Sequence, residues 1–142
     1  MKWSADGQSI FVGGVDNDVH VFSLAHHAIS YSLRAHTDTI ASLALSPNSS
    51  LLLSASMDSV LHLWSVQPFA PTINTANPAL HPRLVRSFYG APAGFEGLLR
   101  KASWSKHPQA DGGGMVAIGG ADRSLTVWVS VVFWQSDGGV TD

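Results

Sequence analysis

The chain has 142 residues, enough for one ordinary domain and too few for two well-developed ones. Hydrophobic residues make up 45% and charged residues 13%, a balance that excludes disorder and calls for a well-buried core. A net charge of -2 advertises neither a nucleic-acid nor a membrane surface, and the lack of cysteine excludes disulfides, thiolate zinc sites and cysteine nucleophiles.

The opening stretch, MKWSADGQS, has no apolar core of the kind a secretory leader needs, and no run approaches bilayer-spanning length. The Asn48-Ser49-Ser50 sequon is therefore read as chance. From Ser9 to Phe22 the chain reads SIFVGGVDNDVHVF, a strand, a tight turn and a second strand. Arg34-Ala35-His36 precedes an alternating run from Ile40 to Leu45, which closes on the turn Ser46-Pro47-Asn48-Ser49. Leu51 to Trp64, LLLSASMDSVLHLW, repeats the first pattern: an apolar run for a doubly covered strand, turn chemistry at Ser56-Met57-Asp58-Ser59, and apolar residues at every second position up to Trp64.

A Pro-rich insertion follows, Gln67 to Pro82, with prolines at 68, 71, 78 and 82. Next come RLVRSFYG (Arg83 to Gly90) and GFEGLLRKASWS (Gly94 to Ser105). A third copy, MVAIGGADRSLTVW, ends at Trp128, and the tail VSVVFWQSDGGVTD offers Val131 to Trp134 as a last strand. Asp16 and Asp58 lie 42 residues apart, as do Phe22 and Trp64; Asp58 and Asp122 lie 64 apart, as do Trp64 and Trp128. The matched offsets define a repeat, with one insertion of 22 residues before the third copy. Short strands in series with polar turns predict an antiparallel all-β protein.

These residues resemble the WD-repeat β-propeller family, whose repeat of about 40–45 residues builds one four-stranded blade. The second repeat carries the marks best: His36 at the Gly-His position, Ser54 in the second strand, Asp58 in the turn, and Trp64 where Trp-Asp is expected. The resemblance implies a buried hydrogen-bond network of His36, Ser54, Asp58 and Trp64, whose polar groups are each costly alone and tolerable only when they satisfy one another. Phe22 and Val12 in the first repeat, and Ile118 and Ala91 in the third, cannot supply it, so the outer repeats are expected to rest on apolar packing. The implied fold is all-β, a partial WD-repeat β-propeller of about three four-stranded antiparallel blades from a seven-bladed ring, an internal fragment of it. The expected units are a blade over 1–35 with an incomplete first strand, a blade over 36–90 with the loop insertion 67–82, an incomplete blade over 91–130, and an atypical tail over 131–142.

The insertion and its flanks, VQPFAP before it and the two segments after it, are similar to spliceosomal members of the family. That resemblance implies a nuclear, non-enzymatic scaffold acting in pre-mRNA splicing, with protein partners in a large ribonucleoprotein assembly. The loop carrying Pro68, Phe69 and Pro71 is a candidate protein-binding element, extended by its prolines. A ubiquitin-ligase substrate receptor would carry Trp-Asp-x-Arg, which Trp64-Ser65-Val66-Gln67 and Trp128-Val129-Ser130-Val131 lack. A G-protein β-like scaffold would share LLLSASxD without explaining VQPFAP.

No catalytic, cofactor or metal residues are assigned. A G-x-S-x-G elbow is missing, which weighs against a hydrolase. None of the seven histidines shows paired ligand spacing, and His20, His26, His27, His62, His81 and His107 are read as exposed loop and strand residues. Gly112-Gly113-Gly114 lacks the Lys-Ser/Thr of a phosphate loop. Trp3, Trp64, Trp104 and Trp128 fall at strand positions and are expected in the core. Arg83, Arg86, Arg100, Lys101 and Lys106 are spread over a strand, a loop and another strand, which makes no stacking platform for RNA. Direct RNA binding, membrane association and a small-molecule substrate are not expected.

Overall fold

The computed structural model describes residues 1–67, 81–89, 97–106 and 114–128. Among them run eleven strands and no helix: β1 (Lys2–Trp3), β2 (Ser9–Gly13), β3 (Asp18–Ser23), β4 (Ala28–Arg34), β5 (Ile40–Leu45), β6 (Leu51–Ser56), β7 (Val60–Ser65), β8 (Leu84–Tyr89), β9 (Leu99–Trp104), β10 (Val116–Gly120) and β11 (Leu125–Trp128). They form three antiparallel meanders, ordered β1-β2-β3-β4, β5-β6-β7-β8 and β11-β10-β9. This is a partial WD-repeat propeller, with three strands in the third sheet among the described residues. The suggested last strand, Val131 to Trp134, lies outside them.

The turn after each repeated aspartate is built identically. Asn17, Ser59 and Arg123 hold φ of 68°, 67° and 67°, a left-handed conformation that side chains rarely adopt. The preceding aspartate stabilises it: Asp58 Oδ1 accepts the Val60 N–H at 2.9 Å, and Asp122 Oδ1 accepts the Ser124 N–H at 2.9 Å. The aspartate is thus a turn-former first, which explains its recurrence in all three copies.

Two apolar layers lie between the three sheets. Phe11, Val19, Val21 and Leu33 of the first sheet pack against Leu43, Leu52, Trp64 and Leu84 of the second. Leu53, Leu61, Leu63 and Phe88, on the other face of the second sheet, pack against Leu99, Ala102, Trp104, Val116 and Ile118. The middle sheet is therefore covered on both faces, and all six residues of β6 are buried. That is why LLLSAS reads as a continuous small or apolar run rather than an alternating one.

Specific bonds register one sheet on the next. The Ile40 N–H donates to Gly14 O at 3.0 Å, and a Cβ on Gly13 would stand 2.7 Å from Ile40 Cγ2, so glycine lets the two sheets approach. The β5–β6 ladder shifts register between Ile40 and Ser42. Ser42 Oγ there accepts the Ala102 N–H at 3.1 Å and donates to Ala102 O at 3.3 Å, binding the second sheet to β9 of the third.

Trp3 departs from its expected place in the core. Its neighbours across the first sheet are Ile10, then Phe22, then Ile29, one cross-strand row on the face opposite Phe11 and Val21. That face turns away from the second sheet, and Trp3 keeps 54% of its surface in solvent. Trp64 and Trp104 are buried, and the side chain of Trp128 lies outside the described residues.

Candidate functional site: the His36–Ser54–Asp58–Trp64 network

Four elements of the second unit deliver the four side chains. His36 stands in the link between β4 and β5, Ser54 in β6, Asp58 in the β6–β7 turn, and Trp64 near the end of β7. His36 Nδ1 lies 2.9 Å from Asp58 Oδ2, His36 Nε2 lies 2.7 Å from Ser54 Oγ, and the Trp64 indole N–H donates to Ser54 Oγ at 2.8 Å. A carboxylate only accepts, so Nδ1 carries the imidazole proton and Nε2 accepts from the serine hydroxyl. The donors then run one way: Trp64 to Ser54 to His36 to Asp58. Asp58 also accepts the Thr37 N–H at 2.9 Å, so its two oxygens fasten both the link before β5 and the turn before β7.

Burial sets the electrostatics. It pulls the His36 imidazole below its ordinary value, against the hydrogen bond and charge of Asp58 and the backbone of Ser54. For Asp58, burial is the largest single influence and acts upward. The Thr37 N–H, the His36 charge and hydrogen bond, and the Val60 N–H together outweigh it and hold the carboxyl below the usual range. A neutral imidazole donating to a carboxylate results, rather than a charged pair.

The residue types and the order of contacts match a hydrolytic triad, yet Ser54 has no accessible surface and its oxygen already receives the Trp64 N–H. A substrate carbonyl has no path to it. What the arrangement does chemically is join two strands, the link before β5 and a turn through groups that each need a partner once buried.

His36 is buried, as the resemblance implies, while the reading of the remaining histidines as exposed loop and strand residues is corrected for His62, which is buried as well. The His62 ring lies 4.3 Å from the His36 ring, centroid to centroid, and its Nδ1 lies 2.7 Å from Ser87 Oγ on β8. Burial first, then the adjacent His36 charge, pull the His62 imidazole down to about 4, against Asp58 and the Ala35 backbone. Trp64 packs edge-on against His62 at 5.6 Å and against His81 at 5.5 Å, extending a column of four rings through the sheet.

His62 was within reach of the sequence. His20 occupies the same strand position 42 residues earlier, and its Nδ1 meets the cross-strand Ser32 Oγ at 2.8 Å just as His62 meets Ser87. The insertion displaces Ser87 from the repeat register and hides the pairing. His20 Nε2 also meets Asp16 Oδ2 at 2.6 Å, so the first sheet does not rest on apolar packing alone. Pro68, Phe69 and Pro71, the candidate binding loop, lie outside the described residues, as does Ala91.

The family model described as WD domain, G-beta repeat matches residues 28–65, which span β4 through β7 and contain the whole network. The chain is 39% identical over 119 residues to the U5 small nuclear ribonucleoprotein 40 kDa protein of Pongo abelii, covering 84% of this chain and 29% of that protein. It is 38% identical over 66 residues to the Homo sapiens protein of the same name, covering 46% and 18%. It is 36% identical over 62 residues to pre-mRNA-processing factor 19 of Bos taurus, covering 44% and 12%. The chain thus spans less than a third of the length of these relatives.

Proposed function

Because this chain belongs to the WD-repeat family, we propose that it is a non-enzymatic scaffold holding protein partners within a U5-type ribonucleoprotein particle in the nucleus, where it acts in pre-mRNA splicing. The observation that carries the scaffold reading is the sealing of Ser54 beneath Trp64, which turns a triad-like set of groups into a brace. A braced sheet presents its connecting loops in fixed positions, and loops on rigid strands are where binding residues concentrate. In this reading the units 1–35, 36–90 and 91–130 are consecutive blades, and the loop with Pro68, Phe69 and Pro71 is one contact element. Support for splicing comes from relatives named for the U5 particle and for pre-mRNA processing, the first of them matched over 84% of this chain.

The test is recovery of RNA with a tagged copy of the chain expressed in cells. Enrichment of U5 small nuclear RNA over ribosomal RNA in the gentle-salt eluate is expected. A nuclear, soluble tagged chain that recovers no U5 small nuclear RNA would leave a generic WD-repeat adaptor in its place.

A further inference from the structure

The innermost strands of the three sheets, β1, β5 and β9, end around a pocket of about 330 Å³. Its lining includes Lys2 and Trp3 of the first sheet, Pro47 and Ser49 of the β5–β6 turn, and Ser103 and Lys106 of the third sheet. No sheet holds this set by itself; packing of all three assembles it. The floor is pinned, because the Ala5 N–H donates to Ser49 Oγ at 2.8 Å across the boundary between the first two sheets.

Among the described residues its charge has one sign. Two lysines line the pocket, and no Asp or Glu among the described residues does. Asp16, Asp18, Asp38, Asp58 and Asp122 lie in or beside turns at the opposite end of the strands. Asp6, at the same end, accepts from Ser4 Oγ at 2.6 Å and from the Gln8 N–H at 3.0 Å. Among the described residues the ion pairs are those of His20, Arg34 and His36, none with Lys2 or Lys106. Two like charges around one concavity repel, and an anion between them relieves that repulsion while the walls focus the field on it. Beside Lys2, the half-exposed indole of Trp3 supplies an uncovered apolar surface.

We propose that this pocket receives a carboxylate-rich peptide segment of a protein partner, with Lys2 and Lys106 meeting its carboxylates and Trp3 covering an apolar side chain of the same segment. The proposal rests on the scaffold reading and adds the chemistry of one partner surface. A single-stranded nucleic acid fits less well, since it needs a cationic track along its backbone and successive stacking surfaces, and here two lysines flank one exposed ring.

Fluorescence anisotropy on the full chain tests it. The probe is a labelled peptide of about twelve Asp and Glu residues with one Phe, compared with a Lys-rich peptide and a single-stranded oligouridylate of similar length. Saturable binding of the acidic peptide is expected, weakened by salt and reduced about tenfold by Lys2→Gln with Lys106→Gln, as two partly screened contacts allow. Trp3→Ala weakens it further, and Lys101→Gln, toward the far end of β9, leaves it unchanged. No binding, or binding indifferent to the two lysines, overturns the proposal, as does tighter oligouridylate binding lost in the same double variant. Recovery of U5 small nuclear RNA that persists in the double variant would leave the splicing scaffold standing while this site falls.

Discussion

His36, Asp58 and Trp64 differ in what their removal strands. Asp58→Ala deletes both oxygens at once, leaving the His36 Nδ1–H and the Thr37 and Val60 N–H groups without their acceptor. It should cost about 1–3 kcal/mol, read as a lowered urea midpoint at unchanged slope. An unaltered midpoint would mean that water replaces the carboxylate. The two histidines add a pH dependence whose sign follows from their depressed values. Above their ordinary value of 6.5 both imidazoles are neutral whether the chain is folded or not, and stability from this source is complete. As pH falls below 6.5 the unfolded chain binds protons that the folded chain refuses, and stability is lost down to about 4, where His62 protonates in place. For His62 the loss is about 3 kcal/mol, and His81, also lowered by burial and the nearby Arg83 and Arg34, acts in the same direction. Urea midpoints should therefore drop across that window, with a visibly shallower drop in His62→Asn. A midpoint independent of pH would refute the account.

Turns and register shifts carry stability out of proportion to their size. Ser59 at φ 67° pays for a left-handed backbone with a β-carbon, so Ser59→Gly should be neutral or stabilising by up to about 1 kcal/mol, while Ser59→Val should destabilise by more than that. Thermal unfolding of the pair measures both, and equal effects would mean that the turn relaxes. At the β5–β6 register shift, Ser42 Oγ serves both backbone groups of Ala102. Ser42→Ala should cost about 1–3 kcal/mol by leaving them unpaired in a buried seam. Hydrogen exchange at the Ala102 amide should rise with it, and continued protection of that amide would rule out the seam as its shelter.

Among the described residues, apolar side chains stand exposed on two faces of the array. The row Trp3, Ile10, Phe22 and Ile29 on the first sheet corresponds to Leu45, Leu52, Trp64 and Leu84 on the second, where the first sheet covers most of it. On the third sheet Leu125 and Val127 are 73% and 55% exposed, at positions where the second sheet has the buried Leu61 and Leu63. Uncovered faces of this kind recruit further surface, so the 142-residue chain studied alone should self-associate. Light scattering should give a mass above 15.1 kDa that falls toward it in the Ile29→Lys, Val127→Lys double variant. A monodisperse wild-type species of 15.1 kDa would show that the array suffices unaided.

Strands, turns and the repeat were legible in the sequence because each depends on neighbours close in the chain. Alternation marks β3 and β7, a continuous apolar run marks the doubly covered β6, and the aspartate before each left-handed residue marks the turn. The pairing of His36 with Asp58 across 22 residues could be anticipated, since a repeat imposes its own spacing. What only the tertiary structure decided concerns distances that no spacing encodes. His62 and Ser87 meet because an insertion is looped out between them, Trp3 is bare because its row faces away from the second sheet, and Lys2 and Lys106 share a pocket because three sheets converge there. A strand's pattern tells which of its faces is apolar; only the packing of whole sheets tells which of those faces is covered, and by what.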